Sequence, residues 1–361
     1  METAAPTFCW YEAPHASSRP TRSFLPMNIL VIGGTRFFGK TLVDRLVSAG
    51  HAVTVLSRGR IAPPAGAAHV VADRADPAAL AAALAGRTFD AVIDNVAMTA
   101  EHVRAALDAL GAGVGHYVLT TSLAVYGDVS SGRQWRESDI GIADLEQPPP
   151  DGHPYTIGKR GAELVLFRGE YPRVPFTILR PGYVVGPHDH LRRMQFFLQR
   201  LDDGGPIVLP TGAAEIFQLA WHADVAAAFA RVLGDQTTFG RAYNVAGHEL
   251  FTYPTLVRAL AAAAGRKIAC VEVPRGLLRR GMLAAHELPF GEDGSMWACD
   301  VGRLHHDLGI TGTPSATWLS ELAHAPIPEL PASERVARAV EIECARRLGR
   351  WLPHPPSRLR S

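Results

Sequence analysis

A tyrosine and a lysine stand four residues apart at the start of a predicted helix, in the segment Tyr155-Thr156-Ile157-Gly158-Lys159. Four residues make about one helical turn, so both side chains can face one site. A phenol must lose ~3 pKa units, or about 4 kcal/mol, to exchange protons at neutral pH. An ammonium ~4 Å away supplies about 4 kcal/mol at an effective dielectric of ~20. Tyr155 therefore suits a general acid/base assisted by Lys159; the alternative is an ordinary helix with a buried tyrosine.

Ser122 supplies a third polar group for the same chemistry. It follows a predicted strand at 116–120, in the segment Thr121-Ser122-Leu123-Ala124. Its hydroxyl could hydrogen-bond the substrate oxygen that Tyr155 protonates and so orient that oxygen. Ser122, Tyr155 and Lys159 are the candidate catalytic residues.

These residues need a partner that accepts or gives a hydride, and a glycine-rich turn near the N-terminus is a candidate site for one. An apolar run at 28–32 breaks into Gly33-Gly34-Thr35-Arg36-Phe37-Phe38-Gly39, and a helical pattern follows as far as Gly50. Glycine tolerates the tight turn and lets helix and strand approach closely. The free N–H groups of the first helical turn then face a pyrophosphate. The predicted dinucleotide contacts here are Gly33, Thr35, Arg36, Phe37, Phe38 and Gly39.

The end of the second strand distinguishes NADP from NAD. An NAD site places an acid there for the ribose 2′-hydroxyl, and an NADP site places arginine for the 2′-phosphate. The chain has Ser57-Arg58-Gly59-Arg60 and no acid at 56–60. With Arg36 in place of the middle glycine of the turn, NADP(H) is favoured and NAD(H) is the alternative. The other interpretation of these arginines is a set of solvated loop residues.

Strands and helices alternate with short connections through residue 120, which predicts a doubly wound parallel sheet with its ligand at the carboxyl ends of the strands. Asp73 follows the third strand, where it either accepts from the adenine amino group or caps the next helix. The further cofactor contacts predicted at these strand ends are Arg74, Asn95, Val96, Ala97 and Thr120.

Together these motifs resemble the short-chain dehydrogenase/reductase superfamily, in its extended, epimerase/dehydratase-like branch. The resemblance runs from about Met27 to Leu322 and includes Ser122-x-x-Val125-Tyr126-Gly127, Tyr155-x-x-x-Lys159 and the segment 178–187. It implies that Lys159 also holds the nicotinamide ribose. It further implies that the nicotinamide carboxamide is held by Pro181, Gly182, Tyr183 and Val184.

The departures from that family restrict the chemistry. Dehydratases of this branch carry an acid pair where Leu123 and Ala124 stand, so water elimination by that mechanism is not expected. Nucleotide-sugar epimerases typically have Asn at the position of Tyr183 and a diphosphate-binding Arg about where Phe217 stands, which argues against a nucleoside-diphosphate substrate. The candidate substrate contacts, assigned by location, are Leu123, Tyr183, His188, Arg193 and Trp221.

The expected architecture is α/β: a Rossmann-type doubly wound parallel sheet with a smaller C-terminal α/β substrate-binding part. Residues 1–26 are predicted to be a disordered arm without a signal peptide, and 351–361 a flexible tail. The dinucleotide-binding domain is placed at 27–182, with 214–248 returning to it. The substrate-binding part is placed at 183–213 and 249–350, with helices at about 188–202 and 333–349. The last helix could pack on the domain or on a partner subunit, so a homodimer is possible.

Composition does not favour several classes of partner. Lys and Arg number 36 against 35 Asp and Glu, and a formal charge of +1 does not indicate binding to nucleic acid or to an anionic membrane. Four cysteines without metal-ligand spacing predict a reduced, cytoplasmic protein. No metal site is expected at His188-Asp189-His190 or at His305-His306. No apolar run is long enough to span a membrane.

The function predicted from sequence is an NADP-dependent oxidoreductase (ketoreductase) or epimerase acting on a carbohydrate-like secondary alcohol or ketone. One alternative is a nucleotide-sugar epimerase with tightly bound NAD(P). The other is a non-catalytic NADP-sensing or RNA-associated binding protein, although relatives of that kind often lose the Tyr–Lys pair.

Overall fold

A computed structural model of the chain describes residues 25–127, 132–212, 215–274, 288–290, 296–327, 329 and 332–351. The predicted disordered arm at 1–26 and the predicted flexible tail at 351–361 lie almost wholly outside these residues. Among the described residues, no helix is both long enough and apolar enough to cross a bilayer.

The larger sheet has seven parallel strands, and this confirms the predicted α/β fold class. Its strands are short apolar runs, buried because helices cover both faces. They are β1 (Asn28–Ile32), β2 (Ala52–Ser57), β3 (Ala68–Val71), β4 (Ala91–Asp94), β5 (Tyr117–Thr120), β6 (Phe176–Pro181) and β10 (Arg241–Val245). The spatial order is β10-β6-β5-β4-β1-β2-β3. The order reverses between β1 and β4, the crevice where such sheets bind ligands.

Two groups of helices cover this sheet and bury its two apolar layers. On one face α1 (Phe37–Ser48) packs against α7 (His222–Val232), and on the other α3 (Ala100–Leu110) packs between α2 (Pro77–Leu84) and α5 (Pro154–Phe167). A 3-10 turn at Leu123–Tyr126 and α4 (Ile142–Glu146) lie between β5 and α5. This arrangement brings the starts of α1 and α5 to the carboxyl edge of the sheet.

Within the described residues, the smaller lobe is built from short strands and four helices around an aromatic core. Its strands are β7 (Tyr183–Val185), β8 (Ile207–Pro210), β9 (Ile216–Trp221), β11 (Leu250–Phe251), β12 (Cys270–Val273) and β13 (Met296–Trp297). Its helices are α6 (Arg193–Asp202), α8 (Tyr253–Ala263), α10 (Ser315–His324) and α11 (Ala332–Trp351), while α9 (Gly302–Leu308) packs beside β10. Phe197, Phe217, Tyr253 and Phe290 are fully buried together in its core.

Two boundaries differ from the predicted ones. The interval 214–248 divides between the lobes, since α7 and β10 lie on the large sheet whereas β9 pairs with β7, β11 and β13. The helix predicted at 188–202 begins only at Arg193, because His188 and Arg192 have left-handed φ angles of 63° and 54°. Helical residues do not adopt this conformation.

The last helix, α11, packs on the smaller lobe of its own chain. The carboxylate of Glu341 is 1% exposed and pairs with Arg200 at 2.8 Å and with Arg338 at 2.9 Å. Arg338 also pairs with Asp203 at 2.7 Å. A buried charge network therefore holds this helix against α6 and β8, while the homodimer stays a prediction.

Candidate dinucleotide and catalytic site

A cavity of about 530 Å³ opens at the carboxyl edge of the large sheet. Its volume falls in the range of small-molecule and cofactor sites. Most of the predicted cofactor contacts line it, from four different strand ends. They are Gly33, Thr35, Arg36, Phe37, Phe38, Gly39, Ser57, Arg58, Asp73, Arg74, Asn95 and Val96.

The glycine turn fits a dinucleotide backbone. Gly33 has a φ of +90°, and a Cβ there would lie 2.5 Å from Val96 Cγ1. A Cβ on Gly39 would lie 2.7 Å from the Gly33 carbonyl oxygen, so the start of α1 could not pack against the turn. Asn95 accepts from the Thr120 hydroxyl at 2.8 Å but leaves its buried Nδ2 without a partner among the described residues. The exposed backbone of the glycine turn and the unpaired side-chain amide of Asn95 could both bind a phosphate or a ribose.

Three exposed arginines surround the cavity where the second strand ends. They are Arg36 from the glycine turn and Arg58 and Arg60 from the loop after β2. The Ser57 hydroxyl accepts from the Gly59 amide and pairs with His69, which holds this loop in place. Asp73 is the exposed acid that lines the cavity, and its carboxylate accepts from the Ala75 amide at 3.0 Å. The positive groups thus lie where a 2′-phosphate would sit in a fold of this type.

Arg74 lines the cavity, but its guanidinium pairs with a buried carboxylate of the protein. Its guanidinium donates to the buried Asp94 carboxylate at 2.5 Å and to the His102 carbonyl at 2.6 Å. Asp94 also accepts from the Tyr117 hydroxyl at 2.8 Å. The cofactor contact predicted for Arg74 stays a prediction; in this structure its guanidinium also compensates the buried charge of Asp94.

The three candidate catalytic residues lie at the same edge of the sheet, where β5 ends and α5 begins. Tyr155 and Lys159 lie on the first turns of α5, with the ammonium 5.7 Å from the phenol ring centroid. The nearby Ser122 hydroxyl acts against burial to lower the pKa of Tyr155, and the Ser122 oxygen accepts from the Ala124 amide at 3.2 Å. Lys159 is buried and donates to the carbonyls of Ala97 at 2.6 Å and Thr120 at 3.1 Å.

Burial controls the proton affinities of this group. It raises the pKa of Tyr155 above its usual value, against the opposing effects of the Ser122 hydrogen bond and the Arg193 charge. It lowers the pKa of Lys159 to about 8, although Asp94 opposes that shift. The sequence predicted a lowered pKa for Tyr155, but burial raises it in this structure, where the Lys159 ammonium donates to two carbonyls and lies 5.7 Å from the ring centroid.

A polar network behind the site fixes the turn that carries Ser122. Arg160, one residue after Lys159, donates to the carbonyls of Val125 and Tyr126 at 2.7 and 2.9 Å. Glu163, one turn further along α5, accepts from the Thr121 hydroxyl at 2.7 Å and pairs with Arg180 at 2.6 Å. The catalytic helix is thus tied directly to the Ser122 turn.

The substrate side of the cleft is formed by β7 and the start of α6. Arg193 lies over the Tyr183 ring, 5.9 Å from its centroid, and pairs with Asp189 at 3.3 Å. The charge of Arg193 acts to lower the pKa of the Tyr155 hydroxyl. Trp297, which the sequence did not single out, packs edge-on against Tyr183 at 6.1 Å. An aromatic wall and one arginine therefore flank the position of the reacting atom.

The remaining predicted substrate and nicotinamide contacts differ in how exposed they are. Leu123 packs against Gly182, whose amide donates to Val245, and Pro181 ends β6 beside them. Val184 is buried and its carbonyl faces Arg193. His188 is exposed. Trp221 differs from the substrate contact expected of it: its side chain is 4% exposed and stacks on Trp318 at 5.9 Å.

Sequence reasoning missed several residues that line the cavity, because nothing in their type or spacing marks them. They are Ile32, Leu56, Ile61, Ala72, Ala75, Met98, His102 and His190, with Arg60 noted only for its charge. In the described part of the chain, no cluster of His, Cys, Asp or Glu is arranged to hold a metal ion.

Comparison with known proteins supports the family resemblance that the sequence motifs indicate. Residues 29–246 match the NAD dependent epimerase/dehydratase family. In fold, the chain is similar to a UDP-glucose 4-epimerase from Thermotoga maritima, with a TM-score of 0.67 at 18% identity over 82% of this chain and 97% of that one.

Two curated relatives match part of the chain. A chloroplast stem-loop binding protein of 41 kDa from Arabidopsis thaliana is 31% identical over 66% of this chain and 63% of its own length. A dTDP-6-deoxy-L-talose 4-dehydrogenase (NAD(P)(+)) from Kitasatospora kifunensis is 29% identical over 48% of this chain and 55% of its own length. Each match thus spans less than two thirds of the relative. The family match covers more than half of the chain and confirms the resemblance: this protein belongs to the NAD dependent epimerase/dehydratase family, an extended branch of the short-chain dehydrogenase/reductases.

Proposed function

We propose that the protein is an NADP-dependent oxidoreductase that reduces a carbohydrate-like ketone to a secondary alcohol. The observation that carries the proposal is the grouping of Ser122, Tyr155 and Lys159 at the same edge of the sheet as the cavity with its three exposed arginines. A non-catalytic binding protein has no need of that arrangement, whereas a ketoreductase needs each part of it.

Ser122, Tyr155 and Lys159 have different roles in the proposed reduction. Ser122 donates to the substrate carbonyl oxygen and orients it, and Tyr155 gives that oxygen its proton. NADPH, when bound, supplies the hydride that the carbonyl carbon receives. The raised pKa of Tyr155 keeps the phenol protonated before the reaction, which suits an acid in the direction of reduction. Lys159 holds its ammonium beside the resulting phenolate and stabilises it until solvent returns the proton.

The cleft favours a compact, polyhydroxylated substrate. Tyr183 and Trp297 offer aromatic faces on which the C–H groups of a sugar ring can pack, and Arg193 offers donors to hydroxyl or acidic oxygens. Phe217, at the position of the family's diphosphate-binding arginine, is fully buried against Phe290 at 4.6 Å. The name of the talose dehydrogenase relative also supports a sugar-derived substrate. A nucleotide-linked sugar remains the alternative within this class.

Cofactor balance tests the reaction. A reductase consumes one NADPH for each alcohol formed, so a panel of keto sugars should show continuous loss of absorbance at 340 nm from added NADPH. An epimerase recycles its dinucleotide and would convert sugars with no net loss. Conversion without NADPH consumption would therefore overturn the reductase assignment in favour of the epimerase.

Arg36 should determine the preference for the phosphorylated cofactor. Replacing Arg36 by Gly removes a cation from the proposed 2′-phosphate site, and charge-assisted hydrogen bonds contribute roughly 1.5–3 kcal/mol. We expect the Kd for NADPH to rise about 10- to 100-fold and the Kd for NADH to change little, as measured by titration of intrinsic fluorescence.

The control for this experiment is Arg45→Ala, which removes an exposed arginine from α1, the helix after the glycine turn, at a position outside the cavity. Its affinities for both cofactors should match those of the wild type. Equal weakening of NADPH and NADH by Arg36→Gly would show that Arg36 has only a structural role and would remove the main support for NADP.

A second candidate function is binding of structured RNA. It is favoured by the name of the chloroplast relative, a stem-loop binding protein. The near-neutral charge of this chain argues against it. Absence of turnover with every ketone, together with salt-sensitive binding of a stem-loop RNA, would support this candidate over the reductase.

A further inference from the structure

The loop that connects β7 to α6, residues 186–192, crosses from the substrate cleft to the cofactor cavity. We call it the bridging loop. His188 and Arg192 within it have left-handed backbones, which cost roughly 1–2 kcal/mol each in non-glycine residues. Such strain persists only where surrounding contacts over-determine the conformation, and it often marks a ligand-binding segment.

Asp189 supplies those contacts from the centre of the loop. Its side chain is buried, and its carboxylate accepts from the amides of Leu191 at 3.0 Å and Arg193 at 3.2 Å. The Arg193 guanidinium lies 3.3 Å from both carboxylate oxygens. The loop is therefore held to Arg193, on the substrate side of the cleft.

The base of the loop is fixed to the dinucleotide-binding half. A Cβ on Gly186 would overlap the ring of His222, so the loop starts in direct contact with the first residue of α7. Burial lowers the pKa of His222 to about 4, and its neutral ring hydrogen-bonds the hydroxyl of Thr41 on α1 at 2.8 Å. The bridging loop thus sits beside the helix whose N-terminus forms the glycine turn.

Because of its position, the bridging loop contributes one residue, His190, to the lining of the cavity. Among the described residues, every other cavity-lining position lies between 32 and 102, and only His190 comes from beyond the large sheet's first five strands. The His190 ring packs edge-on against Phe37, 6.2 Å between centroids, at the phosphate-binding turn. Its nitrogens have no hydrogen-bond partner within the described part of the chain.

We propose that His190 donates a hydrogen bond to the pyrophosphate of the bound dinucleotide, and that the bridging loop is therefore a cofactor-binding element of the smaller lobe. Only the identity of the ligand rests on the proposed function. Because Asp189 links this loop to Arg193, a bound cofactor also orders the substrate side of the cleft. The two lobes are then joined through the cofactor as well as through the polypeptide.

The test is a titration of wild-type and His190→Ala protein with NADPH. We expect the variant to bind about 10-fold more weakly, the effect of one lost hydrogen bond to a charged group. His190→Phe keeps the ring contact with Phe37 and should bind as weakly, whereas His190→Gln keeps a donor and should recover much of the affinity. The control is Leu191→Ala, an exposed position on the same loop outside the cavity, which should bind like the wild type.

Two fragments of the cofactor test whether His190 contacts the pyrophosphate. The weakening should appear with 2′-phospho-ADP-ribose, which contains the pyrophosphate, and not with adenosine 2′-monophosphate, which lacks it. Equal affinities of wild type and His190→Ala for NADPH would overturn the inference and leave the proposed function standing. Weakening with adenosine 2′-monophosphate would overturn the assignment to the pyrophosphate. Failure of the wild type to bind either NADPH or NADH would overturn the proposed function itself.

Discussion

Replacing Tyr155 by Phe is expected to lower kcat/KM for ketone reduction by about 10²- to 10⁴-fold, the usual contribution of a positioned general acid. The substitution removes only the hydroxyl that Ser122 contacts and that gives the substrate oxygen its proton. The Kd for NADPH should stay unchanged, because the glycine turn and the arginines are untouched. Steady-state rates at 340 nm and a binding titration measure the two quantities separately.

Tyr171→Phe is the matched control for this variant. It also removes one phenol hydroxyl, but that hydroxyl donates to Asp108 at 2.6 Å and does not line the cavity. Its turnover should equal that of the wild type. Turnover by Tyr155→Phe at the wild-type rate, with NADPH bound normally, would exclude Tyr155 as the acid.

The pH profile gives an independent readout of the same site. Since the pKa of Lys159 is lowered to about 8, the ammonium is present below that pH and is lost as pH rises through it. A reaction that needs the ammonium to stabilise the Tyr155 phenolate should therefore lose kcat/KM above about pH 8. Lys159→Arg keeps a cation across this range and should remove that decline in the activity that remains.

Replacing Glu163 by Gln should cost about 3–5 kcal/mol of unfolding free energy, because it leaves the Arg180 guanidinium buried without a counter-charge. The two side chains are 0% and 1% exposed and pair at 2.6 Å. Although burial opposes the charge of Arg180, the Glu163 carboxylate raises the pKa of Arg180 above its usual value. Urea denaturation followed by far-UV circular dichroism would measure the loss.

The matched control is Glu146→Gln, which breaks an ion pair of similar length at the surface. Glu146 and Arg168 are 39% and 47% exposed and pair at 2.7 Å. Solvent screening limits such pairs to about 0–1 kcal/mol. A double variant, Glu163→Leu with Arg180→Met, should be more stable than Glu163→Gln because no unpaired charge remains. Equal losses for Glu163→Gln and Glu146→Gln would mean that the buried pair contributes no more than a surface one.

The sequence predicted the large sheet correctly and placed Tyr155 and Lys159 at the start of one helix, because both features depend on local patterns. Alternating apolar strands and helices with short connections leave few topologies for residues 27–182. The glycine turn is equally local, since Gly33 and Gly39 are required by steric contacts within one βα unit.

What the sequence could not predict depends on contacts between distant residues. Arg74 pairs with Asp94, twenty residues away, and no local pattern indicates that contact. The burial of Trp221 likewise depends on Trp318, which stacks on it from a helix much later in the chain. Burial also raises the pKa of Tyr155, contrary to the prediction, and a local pattern does not show how deeply the side chain is buried.

The charge network under α11 bears on how the protein is made. Arg200 is buried against Glu341, 141 residues later in the chain, so during synthesis this ion pair forms only after α11 has left the ribosome. The large sheet needs only residues up to Val245 and can form first, as N-terminal domains usually do. The nascent chain therefore carries a nearly finished nucleotide-binding half while the smaller lobe still lacks the charge network that α11 contributes.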